Sequence, residues 1–196
     1  MATTHWLVDP AHSEVQFKVK HLMITTVTGY FRKFNLQVDT EGTDFTRASK
    51  ILFTAEIDSV DTNTAQRDTH LKSNDFFAAD QYPQLKFEGK KYEKSGDRYT
   101  LQGDLTIRNI TKPVKLDVEY AGMVTDPYGQ TKAGFTVDGK IKRKDFELMW
   151  DAVTEAGQVV VSNDVRIHAE VQLIRQEDKA SAVASPADKV EVIGSE

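Results

Sequence analysis

The sequence contains no cysteine, which excludes disulfide bonds, cysteine-ligated zinc sites and thiol nucleophiles. It also lacks any run of about 18 apolar residues, the length that a membrane-spanning helix needs. The start of the chain, Met1 to Asp9, has neither the basic segment nor the apolar segment of a secretory signal. We therefore predict a protein without an integral membrane segment that stays in the cytoplasm, or in the periplasm if a leader has been removed.

Catalytic motifs are also missing. The sequence has no glycine-rich phosphate loop, no Gly-x-Ser-x-Gly elbow and no His-Glu-x-x-His pair. Its five histidines form no close-spaced pair, so we predict no enzyme, no cofactor and no metal site. A cluster of His21, His70 and carboxylates brought together by folding is the alternative that sequence spacing leaves open.

The charge is spread along the chain rather than concentrated. Lys and Arg total 25 against 30 Asp and Glu, and both signs are interspersed, which gives a net charge of -5. A nucleic-acid groove requires clustered basic residues, so we predict no nucleic-acid partner.

What the sequence does contain is a repeated alternation of apolar and polar residues, the pattern of half-buried strands. Eight segments carry it: 15–21, 27–38, 51–57, 85–89, 99–107, 114–120, 133–141 and 165–173. Within the second segment the apolar phase changes near Arg32 and Lys33, which predicts a bulge or bend. One helix is predicted between Thr62 and Ala79, with Asn63 as its cap and Gln66 reaching back to it.

Eight long antiparallel strands leave no unpaired edge strand if the sheet closes into a barrel. We predict an all-β fold, an extended, eight-stranded, up-and-down barrel about 25 Å tall with a short helical crossover. The barrel domain covers 1–176, and 177–196 is predicted to be a disordered tail because it has no sustained period. Alternation alone fits a hollow barrel and a solid core equally well.

Several blocks of sequence resemble the YceI-like family of lipocalin-like polyisoprenoid-binding proteins. The blocks are Trp6 to His21, Gly29-Tyr30-Phe31, Asp61 to Ser73, Asp75-Phe76-Phe77, Tyr82 to Phe87, Leu101 to Ile107, Thr111 to Val114 and Arg143 to Phe146. The central block is the most specific of them. Two departures are Glu147, where the family usually has Gly, and Asp151, where Asn is common.

The resemblance implies a lipocalin-like barrel whose pore binds the tail of a polyprenyl, quinone-like or similar amphiphile, with no catalytic residues. It also implies that a homodimer is possible. The inward phase and the aromatic residues near turns supply the predicted cavity lining. That set is Phe17, Val19, His21, Phe31, Phe53, Phe76, Phe77, Phe87, Leu105, Phe135, Phe146 and Trp150. For the aromatic residues near turns, filling gaps in the core is the alternative, and for His21 it is a structural hydrogen bond.

Arg67, Asp68 and His70 are the predicted residues for a head group at the barrel mouth, because Arg67 and His70 share a helix face and a guanidinium offers a fork of donors. The alternative is that these three residues tie the crossover to the barrel. Arg143, Lys144 and Asp145 predict a solvated loop with one ion pair.

The predicted function is binding, sequestration or transport of a long-chain isoprenoid or similar lipid. The alternative is a stress-related structural or interaction protein whose barrel is filled or only incidentally occupied.

Overall fold

A computed structural model describes residues 2–177, so the predicted tail lies outside the described residues except for Glu177. Within them, eleven strands form one antiparallel sheet. The strands are β1 (Thr3–Val8), β2 (Glu14–His21), β3 (Thr25–Phe31), β4 (Phe34–Glu41), β5 (Asp44–Glu56), β6 (Val60–Asp61), β7 (Gln84–Ser95), β8 (Arg98–Ile107), β9 (Ile110–Thr125), β10 (Thr131–Lys142) and β11 (Val161–Arg175). The sheet closes because β1 pairs with β11 as well as with β4.

Two interrupted strands account for four of these pieces, and within residues 2–177 the two-residue β6 pairs only with β3, so the remaining positions form the predicted eight-stranded closed barrel. β11 pairs with β2 through residues 161–170 and with β1 through 173–175, so β1 and β2 together occupy one position in the barrel. A single 3-10 turn, Pro10–His12, separates them. Asp9 accepts a hydrogen bond from the Ala11 N–H, and Pro10 has no N–H to give to a ladder. The predicted first strand at 15–21 corresponds to β2 alone.

The second interruption lies at Arg32 and Lys33, where the phase change predicts it. It separates β3 from β4, and the two parts have different outer neighbours. On the side away from β1 and β2, β4 pairs with β5, whereas β3 pairs with the two residues of β6. The crossover between β6 and β7 packs at this split, where the Phe31 and Phe77 rings lie 6.0 Å apart.

The crossover helix α1 spans only Ala65–Lys72, so the prediction of a helix from Thr62 to Ala79 is too long. The predicted cap is also wrong. Thr64 is the capping residue and makes no side-chain cap bond, while Asn63 has a φ of 62° outside the helix. Asp68 instead ties α1 to the chain before it, since its Oδ1 accepts from the N–H and hydroxyl of Thr62 at 2.8 and 2.6 Å. No helix in residues 2–177 is long and apolar enough to cross a membrane.

The barrel has two different ends. At the closed end lie the turns that follow β4, β7 and β9, together with an aromatic cluster. Trp6 and Phe135 each pack against Phe45 at a centroid distance of 4.9 Å, and Tyr120 lies 5.2 Å from Phe135. At the other end, the mouth, lie the β2–β3 turn, the crossover, the β8–β9 turn and the segment between β10 and β11. That segment begins with a 3-10 turn, Arg143–Phe146.

Candidate ligand-binding cavity

An apolar cavity with a volume of about 420 Å³ extends from the mouth toward the aromatic cluster. Alternate residues of the strands form its wall because their side chains share the inward face. The apolar wall includes Val15, Phe17, Val27, Leu36, Ile51, Phe53, Leu85, Leu101, Leu105, Val114, Leu116, Val137, Ile141, Val165, Ile167 and Val171. Five polar residues also line it, namely His21, Thr62, Arg67, His70 and Arg143, and it is bordered by Gln16 and Lys20, whose side chains belong to the outward phase of β2. The barrel is therefore hollow along much of its length, and its interior suits a hydrocarbon chain.

Two glycines create room for rings that form the wall. A Cβ at Gly29 would overlap three ring atoms of Phe17, all within 2.8 Å, and one at Gly103 would overlap the ring of Phe87 in the same way. Each ring lies over the neighbouring strand instead of projecting into the bore. The glycines thus widen the cavity indirectly.

The structure places ten of the twelve predicted lining residues in the cavity wall. They are Phe17, Val19, His21, Phe31, Phe53, Phe76, Phe77, Phe87, Leu105 and Trp150. Phe135 and Phe146 are not in the wall, so the prediction is wrong for these two. Phe135 belongs to the aromatic cluster of the closed end, and Phe146 is 1 % exposed at the end of the 3-10 turn after β10. Alternation tells which face a residue occupies but not its depth along the bore.

Arg67 ties the crossover to the chain before it. Its Nε donates to the Thr62 hydroxyl and its Nη2 to the Thr62 carbonyl, both at 2.7 Å, and Nη2 also reaches the Thr64 hydroxyl at 3.2 Å. Asp68 accepts from the same threonine and does not line the cavity. These contacts favour the tying role over the head-group role for both residues.

His70 joins the crossover to the segment after β10. Its Nε2 lies 2.8 Å from Asp75 Oδ2, and its ring packs edge-on against Trp150 at 4.9 Å and Phe76 at 5.1 Å. The Phe76 and Trp150 rings are themselves 5.6 Å apart. This aromatic contact covers one side of the mouth.

The prediction that Arg143 belongs to a solvated loop is wrong, because this residue is buried and holds the segment after β10. It is 3 % exposed rather than solvated, and burial lowers its pKa, an effect that Asp151 partly offsets. Its guanidinium donates to four carbonyl oxygens, those of Leu148, Trp150, Val161 and Ser162, at 2.6 to 3.2 Å. Arg143 thereby holds residues 148–162 across the mouth. In the sequence, Arg143 is a charged residue directly after an apolar strand, and such a residue usually marks a solvated turn. The sequence therefore does not indicate that Arg143 is buried.

The two departures from the family pattern lie in this same segment. Glu147 has φ 57° and ψ 25°, a left-handed conformation that glycine adopts more readily than any other residue. Asp151 accepts a hydrogen bond from Lys144 Nζ at 2.9 Å, which lowers the pKa of its carboxyl despite an opposing effect of burial. The charge on Asp151 therefore gives this chain an ion pair that the usual asparagine would not form.

The protein is a closed eight-stranded barrel whose apolar bore opens at one end, which is the architecture of lipocalin-like barrels. A family model described as "YceI-like domain" matches residues 6–173, and the chain therefore belongs to the YceI-like family. This confirms the resemblance predicted from the sequence. A UPF0312 protein of Pectobacterium atrosepticum is 37% identical over 167 residues, which cover 84% of this chain and 82% of that protein.

Solved structures agree with this fold. The YCEI protein of Campylobacter jejuni superposes with a TM-score of 0.68 at 34% identity, over 81% of this chain and 90% of that one. A structure described as a polyisoprenoid binding domain from Saccharophagus degradans superposes with a TM-score of 0.61, over 87% of this chain and 98% of that one. Because its identity is only 14%, this second similarity shows the fold alone.

Proposed function

We propose that this protein binds the hydrocarbon tail of a long-chain isoprenoid or similar amphiphilic lipid in its cavity, and sequesters or carries it without chemical change. The observation that carries the proposal is the apolar cavity of about 420 Å³ that opens at the mouth. The solved polyisoprenoid binding domain with the same fold supports an isoprenoid as the ligand class.

The cavity volume sets the length of tail that fits. A cavity of about 150 Å³ accommodates benzene, with six carbon atoms, so in proportion about 420 Å³ accommodates about 17 carbons. Three isoprene units contain fifteen. At about 0.8 kcal/mol per buried carbon, such a tail contributes about 12 kcal/mol before the entropic cost of association is subtracted. Affinity should therefore depend mainly on tail length.

The head group contributes less to affinity than the tail. Arg67 and Arg143 both line the cavity, but their guanidinium groups donate to oxygen atoms of the protein itself. An exposed ion pair at the mouth is worth only about 0 to 1 kcal/mol. Polar groups at the mouth then orient the ligand, while the bore selects its tail. A filled barrel, as in the alternative of a purely structural protein, would contain no cavity of this size.

The test is native mass spectrometry with geraniol, farnesol and geranylgeraniol, three isoprenoid alcohols of increasing length. We expect one molecule per chain, released with its mass unchanged, and an affinity that rises from geraniol to geranylgeraniol. Leu105→Arg places a charge in the wall and should abolish uptake. Leu7→Arg is the matched control, because Leu7 lies outside the cavity wall and is 37 % exposed. An unliganded parent chain, or equal uptake by a folded Leu105→Arg variant, would contradict the proposal.

A further inference from the structure

Exposed apolar side chains are concentrated at the mouth. Eight large hydrophobic residues are exposed within residues 2–177, and five of them lie at this end of the barrel. We call these five the mouth rim: Met23, Ile24, Met149, Val153 and Val159, which are 61, 77, 56, 67 and 39 % exposed. Exposed apolar residues are ordinary when scattered, but a group of them at the opening of a cavity indicates an interaction surface.

The mouth rim is one surface that is continuous with the cavity. Its residues come from the β2–β3 turn and the segment after β10, and a hydrogen bond from Leu22 N–H to Val160 O, 2.8 Å long, joins the two. An isolated bridge between Val153 and Val159 holds the second segment together. Val160 itself lines the cavity. An apolar path therefore leads from the rim into the bore.

The β2–β3 turn has large apolar residues at backbone conformations that disfavour them. Leu22 and Met23 have φ values of 52° and 59°, in a turn closed by a hydrogen bond from Ile24 N–H to His21 O. Two successive positive φ values favour Asn-Gly in such hairpin turns, because a Cβ is disfavoured there. Large apolar residues at a strained, exposed position indicate a function for their side chains.

Positive charge lies beside the rim. On the outward face of β2, β11 and β10, Lys18 is opposite Arg166, which in turn is opposite Lys140. Lys20 and Lys142 continue the same rows toward the mouth, and all five side chains are exposed. We call these five the basic band. Asp164, 3.4 Å from Lys140 Nζ, is an acidic residue in these rows near the mouth. The segment after β10 carries exposed acidic residues as well, namely Asp145, Glu147, Asp151 and Glu155, so the positive charge belongs to the strands beneath the β2–β3 turn and not to that segment. Since the whole chain carries a net charge of -5, this positive charge is a local feature.

We propose that the mouth rim and the basic band together dock on an anionic lipid bilayer, with the β2–β3 turn inserted in the interface. Apolar side chains flanked by Lys and Arg are the composition that binds to anionic membrane surfaces. A second copy of the chain is the rival occupant of this surface, and a dimer in vesicle-free solution that Ile24→Asp dissociates would overturn the docking proposal. Docking stands on this surface alone. Only its purpose, transfer of a tail between bilayer and cavity, rests on the proposed function.

The test is flotation of the ligand-free full chain with vesicles of phosphatidylcholine containing about one third phosphatidylglycerol. We expect binding that weakens at least about ten-fold in Ile24→Asp, and that falls as added salt shortens the Debye length from about 10 to 3 Å. Val124→Asp is the matched control, since Val124 is 61 % exposed at the closed end and receives the same charge. Its binding should equal that of the parent.

A second variant separates docking from folding. Met23→Asn replaces an apolar side chain with one that tolerates positive φ, so we expect weaker vesicle binding with a Tm equal to or above that of the parent. Farnesol binding in vesicle-free solution should be unchanged in both rim variants, whereas Leu105→Arg should lose farnesol and keep vesicle binding. The docking proposal would be overturned if Ile24→Asp and Met23→Asn bound vesicles as well as the parent chain does. It would also be overturned if Val124→Asp lost as much vesicle binding as Ile24→Asp. Neither result bears on farnesol uptake, which tests the proposed function.

Discussion

Val118 and Val137 offer a direct test of the hollow barrel. They are partners across the β9–β10 pair, so their side chains point to the same face of the sheet. Val137 lines the cavity, whereas Val118 is 3 % exposed and belongs to the packed core. The same substitution, Val→Phe, therefore enters free space at one position and a filled core at the other. Overpacking a filled core lowers the free energy of unfolding by about 1 to 3 kcal/mol.

The effect on binding can be estimated from the added volume. Phenylalanine has four more carbons than valine, which corresponds to about 100 Å³ on the scale in which benzene fits about 150 Å³. That is about a quarter of the cavity volume of about 420 Å³. The Val137→Phe cavity should therefore hold about four fewer carbons. At about 0.8 kcal/mol for each, binding of geranylgeraniol weakens by about 3 kcal/mol, or about 100-fold, while geraniol still fits.

Urea unfolding and isothermal titration of both alcohols measure these two effects. We expect Val118→Phe to lower the free energy of unfolding by about 1 to 3 kcal/mol, and Val137→Phe to lower it by less. Val137→Phe should also bind geranylgeraniol more weakly than the parent does, with little change for geraniol. The reasoning would be refuted if Val137→Phe were at least as destabilised as Val118→Phe. It would also be refuted if the affinities for geraniol and geranylgeraniol fell by the same factor.

Three further predictions concern packing, backbone strain and pH. Gly29→Ala should lower the free energy of unfolding by about 1 to 3 kcal/mol in urea because of overlap with Phe17, and Phe17→Leu in the same chain should restore most of it. Glu147→Gly should raise the free energy of unfolding by up to about 1 kcal/mol, since it relieves a left-handed backbone; a decrease would contradict this. The Asp151 pKa is lowered by Lys144, so the stabilisation from their ion pair is complete above about pH 3.8 and is lost as the pH falls through the lower folded value. The hydrogen-exchange protection factors of residues 151–160, which are corrected for the pH dependence of intrinsic exchange, should fall over that range, and Asp151→Asn should remove the effect.

The fold was predictable because period-two alternation identifies strands without knowledge of their partners. The phase change between Phe31 and Phe34 even located the break between β3 and β4. The additional strand β1 was not predicted. Its alternating residues Trp6 and Val8 are too few to form a pattern, and Pro10 interrupts the strand before it continues as β2. Its place in the barrel follows from pairing with β4 and β11, which are distant in sequence.

The cavity was predictable only as a face of the sheet. Phe87 and Phe135 both occupy inward positions, yet one lines the cavity and the other closes the bore. Their depth depends on the register of every strand between them, which alternation does not encode. The burial of Arg143 was not predicted for a related reason. Its four carbonyl acceptors come from residues 148–162, a segment whose path has no periodic signal.

The mouth and the bore should control different properties of ligand binding. The bore is formed by strands that are paired with a neighbour on each side, and its volume determines how much of a tail is buried. The mouth is assembled from the β2–β3 turn, the crossover and the segment after β10, joined by single contacts such as Leu22–Val160 and His70–Trp150. Breaking such a contact leaves the strand pairing intact. We therefore expect substitutions in the bore to change affinity, whereas Trp150→Ala at the mouth should accelerate both uptake and release of farnesol with a smaller change in Kd. Stopped-flow fluorescence measures both rates, and a change in Kd with no change in the association rate would show that Trp150 belongs functionally to the bore.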